Sequence, residues 1–456
     1  MLVASQERHA TVGEIDGLSR AVAATIDPIL MPPGTVVGLA AEHAAGFLTG
    51  FLALRRARQT VVLLDSLAPP QERQRACVAV GAAAELTCAT SWPSSIDDFC
   101  LTMTGFKTSR QTLSDIAAIK LTSGSSGAAR GVAMTEESLF ADESALAATM
   151  DLRATDRLLA ALPLSHSYGF TTLALSAMMR GLMLVLPSDQ GPFAPLTAAR
   201  ELEATVFPTV PAYVQALLKV SRRPHWPARI RRVISAGAML PRASAVQFRE
   251  TFGQAIHTFY GASECGGICY DREGGAAERG TVGTPVDGVR VTLEPPAGIE
   301  GLVVVESASV ASGYVPEFDL RLADGRFETS DVATWQGGEL ALRRRADRVI
   351  NLRGRKVDPS EIERVLASLD GVDEAVVVGV VSQPGGEAII RAVVACVGGR
   401  LDYQRVTAWC RRQLADHKVP RSVIIVDAIP RTSRGKIDRA ALAQLTTARD
   451  PDLAHG

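Results

Sequence analysis

The sequence lacks an uncharged apolar run long enough to span a membrane, and it lacks an excess of charge of either sign. Its 456 residues include 48 basic and 49 acidic ones, which gives a formal net charge of −1. Proteins that bind nucleic acid usually show a clear basic excess or stripe, and a spanning helix needs about 20 consecutive apolar residues. We therefore expect neither a nucleic-acid partner nor a membrane span.

Cysteines are few and scattered. There are seven, and the closest pair, Cys265 and Cys269, is separated by three residues, whereas a zinc knuckle usually has about two between its ligands. The first residues, MLVASQERHATVGEID, show no apolar core behind a basic start, which argues against a secretory signal. We expect free, buried thiols and a cytoplasmic location.

Strand and helix patterns alternate through the first 120 residues. Residues 35–65 read as strand, alanine-rich helix and strand, and Pro69 and Pro70 begin a further helix. This order is typical of a parallel βαβ unit. Because the chain exceeds the length of one ordinary core, we expect an α/β fold with two or three domains.

A glycine-rich stretch, IKLTSGSSGAARGVAM, occupies residues 119–134. Glycine lets backbone amides approach a ligand closely, and hydroxyl groups add donors, so the stretch suits the oxygens of a polyphosphate. It is not a Walker loop, because no Lys-Ser or Lys-Thr pair follows the second glycine. A flexible serine-glycine turn remains the alternative. The candidate nucleotide-binding residues of this stretch are Thr122, Ser123, Gly124, Ser125, Ser126, Gly127 and Arg130.

The segment TSGSSGAARGV resembles the TSGTTGxPKGV phosphate loop of the adenylate-forming superfamily, which includes acyl-CoA synthetases, peptide-synthetase adenylation domains and luciferases. Ala129 stands where the family usually has proline, and Arg130 where it has lysine. The positive charge is kept, but a point charge becomes a planar group.

A second motif, LLAALPLSHSYGF at residues 158–170, runs from an apolar strand into a polar turn. The resemblance places His166 and Tyr168 beside the carboxylate or the nucleotide; the alternative is a pair whose polar groups are satisfied at a strand end. No acid lies between Asp156 and Asp189. Because a buried α-ammonium group needs a counter-charge, a substrate without an α-amine is favoured.

Two further segments complete the nucleotide side that the resemblance implies. Gly237 and Ala238 follow a strand-like run and would supply backbone beside adenine. The motif YGASE resembles the family's YGxTE, and its Glu264 would hold Mg²⁺ against the phosphates, a sparse ligand set that suits this ion. An exposed glutamate on a glycine-rich loop is the alternative. The residues carried over from this motif are Tyr260, Gly261, Ser263 and Glu264.

Composition changes at residues 341–366, where a basic run precedes an amphipathic helix. We predict a large domain over residues 1–345 and a small mobile α+β domain over 346–456. By the resemblance, Asp331 would accept hydrogen bonds from the ribose hydroxyls, Arg345 would contact the nucleotide, Asp347 would mark the hinge and Gly354 would line a pantetheine tunnel.

The segment IPRTSRGKIDR, residues 429–439, resembles the family's carboxy-terminal LPRTxxGKxxR. A lysine in such a basic loop is ordinarily a surface residue, but the resemblance makes Lys436 catalytic, together with Glu264 and His166. The function implied is ATP-dependent activation of a fatty, short-chain or aryl acid to an acyl-adenylate, then transfer to CoA. The alternatives are transfer to the phosphopantetheine arm of a carrier protein and a non-catalytic nucleotide-binding relative.

Overall fold

The computed structural model divides the chain into two compact units. The large unit comprises Met1–Thr329 and Ala333–Leu342, and the small unit comprises Ser330–Val332 and Arg343–Gly456. The residues described are 2–105, 113, 115–123, 129–188, 191–220, 224–295, 300–316, 321–346, 350–352, 355–357, 359–381, 388–396, 401–414, 416–432, 437–438, 441–442 and 444–445.

Twenty-one strands are described up to the start of the small unit's own elements: β1 Val3–Ala4, β2 His9–Ala10, β3 Val36–Ala41, β4 Thr60–Leu63, β5 Ala84–Cys88, β6 Cys100–Met103, β7 Ile116–Ser123, β8 Ala129–Thr135, β9 Arg157–Leu159, β10 Met183–Val185, β11 Val206–Thr209, β12 Arg232–Ser235, β13 Ile256–Ala262, β14 Gly266–Tyr270, β15 Thr284–Pro285, β16 Arg290–Glu294, β17 Gly301–Glu306, β18 Gly313–Val315, β19 Leu322–Ala323, β20 Arg326–Gln336 and β21 Glu339–Arg345.

The helices described over the same stretch are α1 Val12–Ala24, α2 Ala44–Arg56, α3 Pro70–Ala79, α4 Glu136–Thr149, α5 Ser167–Gly169, α6 Ser176–Arg180, α7 Ala194–Glu201, α8 Pro211–Lys219, α9 Arg242–Phe252 and α10 Ala276–Arg279. A π-helical segment, Phe170–Leu175, joins α5 to α6. No described helix has the length and apolar content that crossing a membrane requires.

Two large sheets form the frame of the large unit. The first has the order β15-β14-β13-β12-β11-β9-β10-β1-β2, and its centre, from β1 through β13, is parallel. The second has the order β18-β8-β7-β4-β3-β5-β6, with a parallel centre and antiparallel edges. A third sheet contains β16, β17, β20, β19 and β21, in which β16 pairs antiparallel with β17 and β19 with β20.

Local sequence signals explain several of these elements. Strands β3 and β4 pair in parallel around α2, as the βαβ pattern predicts. A hydroxyl group caps the start of helix α4, since Thr135 Oγ1 accepts a hydrogen bond from the Ser138 amide. Glycines on α2 let it pack closely on the sheet: a Cβ on Gly46 would approach Cys88 Sγ at 2.8 Å.

One apolar segment differs from its sequence pattern. The run TVFPTVPAYVQALL reads as strand-like, but only Val206–Thr209 is a strand, and helix α8 begins at Pro211. Proline at the first helical position is favourable, because its missing N–H would have no partner there. The polar turn expected at His166 is present, and it leads directly into α5, which begins at Ser167.

The small unit has its own elements. They are β22 Ile350–Leu352, β23 Arg355–Val357, α11 Pro359–Ala367, β24 Glu374–Val381, β25 Ala388–Ala395, α12 Tyr403–Gln413 and β26 Ser422–Val426. Strands β22 and β23 form a hairpin, while β25 pairs antiparallel with β24 and parallel with β26. Ile362 and Leu366 on α11 are buried, as the amphipathic pattern predicts. The predicted α/β fold class, a large unit with several sheets and a small α+β unit, is confirmed.

Candidate active site

The strands that flank the predicted phosphate loop form an antiparallel hairpin. In β7 and β8, Thr122 lies opposite Arg130, and Thr122 Oγ1 donates a hydrogen bond to the Arg130 carbonyl oxygen at 3.3 Å. A Cβ on Gly131 would approach Ile119 Cγ2 at 2.6 Å, so glycine is needed for β8 to pack this closely. Ser123 ends β7. The loop residues Gly124, Ser125, Ser126 and Gly127 lie outside the described residues.

Arg130 stacks on an aromatic ring. Its guanidinium carbon lies 3.5 Å from the centroid of the Tyr314 ring. Strand β18 brings the tyrosine here, because Tyr314 pairs with Val132, and Val132 and Arg130 share one face of β8. A planar guanidinium stacks on an aromatic face in a way that an ammonium group does not. The stack gives a physical account of arginine at a position where lysine was expected.

Glu264 lies in the turn between β13 and β14, and the same tyrosine reaches it. The Tyr314 hydroxyl donates a hydrogen bond to Glu264 Oε1 at 3.1 Å. The turn is held by the segment that precedes Tyr314: the Ala311 amide donates to the Glu264 carbonyl at 2.8 Å, and Ser309 Oγ donates to the Cys265 carbonyl at 2.8 Å. The structure thus brings together the phosphate-loop arginine and the glutamate of the YGASE motif.

The rest of that motif surrounds the turn. Tyr260 and Gly261 lie on β13, where the ladder with β14 shifts register between them, and such bulges often occur next to active sites. A Cβ on Gly261 would meet the Gly266 carbonyl oxygen at 2.6 Å, so only glycine fits. Ser263 lies in the turn itself, directly before Glu264.

The donor set around Glu264 is compatible with Mg²⁺ only when a substrate supplies further ligands. Within the described ranges, no group of three or more His, Cys, Asp or Glu side chains is placed to hold a metal ion. Mg²⁺ commonly binds through one or two carboxylates together with substrate phosphates and water. A single carboxylate fixed beside the predicted phosphate-binding hairpin fits that mode.

On the predicted acid side, His166 faces a carboxylate that the sequence pattern did not reveal. His166 Nε2 lies 3.7 Å from Oδ2 of Asp65, a buried residue just after β4. Asp65 Oδ1 also accepts a hydrogen bond from the Leu67 amide at 3.0 Å. Tyr168 donates from its hydroxyl to the Ile234 carbonyl at 3.0 Å. His166 and Tyr168 therefore lie near the end of β12, on whose loop the adenine side was predicted.

That loop carries Gly237 and Ala238, both exposed, directly after β12. Gly237 has φ +85°, a left-handed conformation that favours glycine. Parallel strands β11 and β12 end side by side here, and β13 lies parallel beside β12. Ligands of open α/β sheets bind outside the carboxyl ends of such strands, so the backbone of this loop is well placed for a nucleotide base.

Beneath these motifs lies a buried charge pair that the sequence reasoning missed. Lys120 Nζ lies 3.9 Å from Asp142 Oδ2, and both side chains are almost fully buried. Asp142 also accepts hydrogen bonds from the Gly267 amide at 3.0 Å and from Thr171 Oγ1 at 3.0 Å. Burial lowers the pKa of Lys120 and raises the pKa of Asp142, while their mutual attraction opposes both shifts.

The pair connects three motifs that are far apart in the sequence. Lys120 lies on the strand that enters the phosphate loop, Gly267 follows the Glu264 turn, and Thr171 belongs to the π-helical segment after His166. π-Helical turns are rare and are frequent at functional sites. The available sequence signal was a lysine within the apolar run IAAIKL of β7.

In the small unit, two predicted nucleotide residues meet. Arg345 Nη1 lies 3.3 Å from Asp331 Oδ1, with the carboxylate mostly buried and the guanidinium more exposed. Near the carboxyl terminus, Arg431 and Ile437 form an antiparallel bridge around the segment that contains Lys436. Lys436, Asp347 and Gly354 themselves lie outside the described residues.

Comparison with known proteins identifies the family of the chain. Residues 1–315 match the AMP-binding enzyme family, and residues 361–436 match the AMP-binding enzyme C-terminal domain. The chain is 32% identical over 341 residues to a feruloyl-CoA synthase of an Amycolatopsis species, covering 71% of this chain and 69% of that protein. It is 30% identical over 349 residues to the long-chain-fatty-acid–CoA ligase FadD13 of Mycobacterium tuberculosis, covering 73% and 68%.

A solved structure gives the same result for the fold. The crystal structure of ATP-bound MatB from Rhodopseudomonas palustris superposes with a TM-score of 0.83 at 24% identity, over 98% of this chain and 95% of that one. At this identity the likeness concerns the fold alone. Together with the family matches, it shows that the chain belongs to the AMP-binding, adenylate-forming enzymes and is of the AMP-forming acid–CoA ligase type. The resemblance inferred from the motifs is confirmed.

Proposed function

We propose that the protein activates a carboxylic acid without an α-amine to an acyl-adenylate with ATP, and then transfers the acyl group to the thiol of CoA. The observation that carries this proposal is the meeting of Arg130 and Glu264 on Tyr314, beside the β7–β8 hairpin. A cation and a carboxylate from two different motifs thus meet on one tyrosine, which supports a role for both in binding the triphosphate.

In the first step, a carboxylate oxygen attacks the α-phosphorus of ATP, and the bond to pyrophosphate breaks. Both reactants are anionic, so the protein must align them and neutralise charge. The backbone and hydroxyls of the 122–131 loop, Arg130 and the ammonium of Lys436 would do this. Mg²⁺ held by Glu264 would add charge neutralisation at the phosphates. In the second step, a thiolate attacks the acyl carbon, and AMP leaves.

The assignments on the base and ribose remain part of this proposal. Gly237, Ala238 and Tyr260 would border adenine. Asp331 would accept hydrogen bonds from the ribose hydroxyls, and Arg345, whose Nη1 lies 3.3 Å from Asp331 Oδ1, would orient the Asp331 carboxylate. His166 would contact the acid or the nucleotide, and Gly354 would line the path of the thiol. The domain division at residues 345/346 and a cytoplasmic location complete the proposal.

Two carboxylates lie near the region predicted to bind the substrate acid, and they bear on which acids it accepts. Asp65 and Asp142 come from elsewhere in the sequence, yet Asp65 faces His166, and Asp142 is engaged by Lys120, Thr171 and Gly267. Each therefore already has partners, and a substrate ammonium group would need to displace them. This favours fatty, short-chain or aryl acids.

The proposal is tested by pyrophosphate release with ATP, Mg²⁺ and a panel of aryl, fatty and short-chain acids, with α-amino acids as the matched negative set. We expect release with one of the first three classes and background rates with amino acids. Adding CoA or a holo carrier protein then identifies the acceptor. If a thioester forms on the carrier protein and not on CoA, the carrier protein is the acceptor. If pyrophosphate is released with α-amino acids alone, the proposed class of acids without an α-amine is wrong.

A further inference from the structure

Tyr314 contacts both charged groups of the proposed phosphate site at once. One face of its ring carries the Arg130 guanidinium at 3.5 Å, and its hydroxyl donates to Glu264 Oε1 at 3.1 Å. No motif considered in the sequence analysis includes this residue. It lies on the short strand β18, at the edge of the seven-stranded sheet.

The backbone around Tyr314 is firmly placed. Gly313, Tyr314 and Val315 pair with Ala133, Val132 and Gly131 of β8. The preceding residues hold the Glu264 turn through the Ala311 amide, and they continue the ladder through the Ser312 amide, which donates to the Ala133 carbonyl at 2.9 Å. One short segment thus fixes the backbone of both the arginine strand and the glutamate turn.

The phenol acts as the donor in this contact, because its hydroxyl hydrogen points to a carboxylate oxygen of Glu264. An ionised carboxylate only accepts hydrogen bonds and has about four lone-pair positions, so a bond to Oε1 leaves acceptor capacity on Oε2 for a cation.

We propose that Tyr314 is a positioning residue that holds Glu264 in the orientation needed to bind Mg²⁺ with the nucleotide, and that it sets the spacing between this carboxylate and Arg130. The inference rests on the proposed function, because Glu264 is its metal ligand. Removing a partner that orients a metal-ligating carboxylate typically weakens metal affinity by about 10–100-fold. The tyrosine touches neither metal nor substrate in this role.

The test measures binding rather than turnover. Calorimetry gives the affinity for the non-reacting analogue α,β-methylene-ATP with Mg²⁺ and with chelator, and the ratio of the two affinities is the metal-dependent gain. For Tyr314→Phe, which keeps the ring and its stack on Arg130, we expect this gain to fall by about tenfold or more, with the metal-free affinity unchanged. The matched control is Tyr213→Phe. Tyr213 lies on helix α8, and its hydroxyl donates a hydrogen bond to the Pro192 carbonyl at 3.0 Å. The metal-dependent gain of this variant should equal that of the unmodified protein.

Glu264→Gln separates this inference from the proposal on which it rests. If Glu264→Gln abolishes the gain while Tyr314→Phe retains it, the role of Tyr314 is wrong and the proposed function stands. If Glu264→Gln itself retains the gain, the metal assignment fails, and the inference fails with it. An equal loss of metal-free and metal-bound affinity in Tyr314→Phe would show a general structural contribution and would also overturn the inference.

Discussion

Lys120 Nζ lies 3.9 Å from Asp142 Oδ2 in the interior of the large unit, where neither side chain reaches solvent. Among the residues described, none offers Lys120 Nζ a hydrogen-bond partner, whereas Asp142 accepts from Thr171 and Gly267. The carboxylate thus carries the directional contacts, and the lysine supplies the balancing charge. Through these contacts the pair joins segments from three motifs of the site.

Removing only one charge of the pair should be costly. Asp142→Asn keeps the shape and one acceptor oxygen but leaves Lys120 without its counter-charge. Breaking a buried pair in this way typically costs about 3–5 kcal/mol, and we expect the free energy of unfolding in urea to fall by about that amount. The double variant Lys120→Met/Asp142→Asn should recover most of the loss, because no uncompensated charge remains. Additive losses in this double-mutant cycle would show that the two residues do not interact.

Gly266 is expected to tolerate no side chain. Its φ is +69°, and a Cβ there would lie 2.1 Å from Asp142 Oδ1. Gly253 offers a matched control, since it has the same φ of +69° and a Cβ added there would meet nothing within 4 Å. Gly253→Ala should cost about 1–2 kcal/mol from backbone strain alone. Gly266→Ala should cost about 1–3 kcal/mol more because of the clash. Thermal and urea unfolding would measure both, and equal losses would contradict the crowding at Asp142.

Lys436 is predicted to act in only one of the two half-reactions. Lys436→Ala should lower the rate of adenylate formation by about 10²–10³-fold, because a preorganised charge at the α-phosphate is lost. Thiolation of a supplied acyl-adenylate should be spared. Lys418→Ala is the matched control, because Lys418 lies in the same unit and its Nζ donates a hydrogen bond to Glu361 Oε2 at 2.6 Å. In this variant both half-reactions should proceed at unchanged rates. Equal loss of both steps in Lys436→Ala would refute the role.

The pair between Glu339 and Arg279 should make stability depend on acid pH. Arg279 donates to both oxygens of Glu339, at 2.9 and 2.6 Å, and Thr281 Oγ1 donates at 2.7 Å. The hydrogen bonds from Arg279 hold the pKa of Glu339 below its ordinary value. A lowered folded-state pKa means that the stabilisation is present above the unfolded pKa of about 4.3 and is lost as the pH falls through the folded value.

Glu339→Gln should therefore lower the free energy of unfolding at pH 7 by about 1 kcal/mol, a figure reduced for the partial exposure of the pair. The difference from the unmodified protein should shrink as the pH falls below about 4. Urea unfolding across this range would measure it. A difference for Glu339→Gln that persists in acid would contradict the mechanism.

The sequence predicted the fold and the motifs well where the signals are local. The βαβ unit, the Thr135 cap and the amphipathic α11 all follow from periodicity, capping and turn chemistry within a few residues. The strand-like interpretation of residues after Thr209 failed because a run of apolar residues fits a buried strand or a helix equally well. Only the position of Pro211 as a helix start favoured the helix.

The contacts that organise the site could not be predicted in this way. Asp65 meets His166 across about 100 residues of sequence, and Asp142 meets Gly267 across 125. Tyr314 reaches Glu264 because β18 pairs with β8, and a three-residue strand gives almost no pattern of its own. Such long-range pairings are decided by the packing of whole sheets, which a single sequence reveals only through a recognised family.

The cysteines offer a practical consequence. All seven belong to the described part of the chain, and among them only Cys100, on the edge strand β6, is exposed. Burial raises the pKa of Cys77 to about 12 and the pKa values of Cys88 and Cys410 to about 11, so these thiols are poorly reactive as well as hidden. A maleimide fluorophore should therefore attach to the unmodified protein at one place, and Cys100→Ser supplies the unlabelled blank for following nucleotide binding by fluorescence.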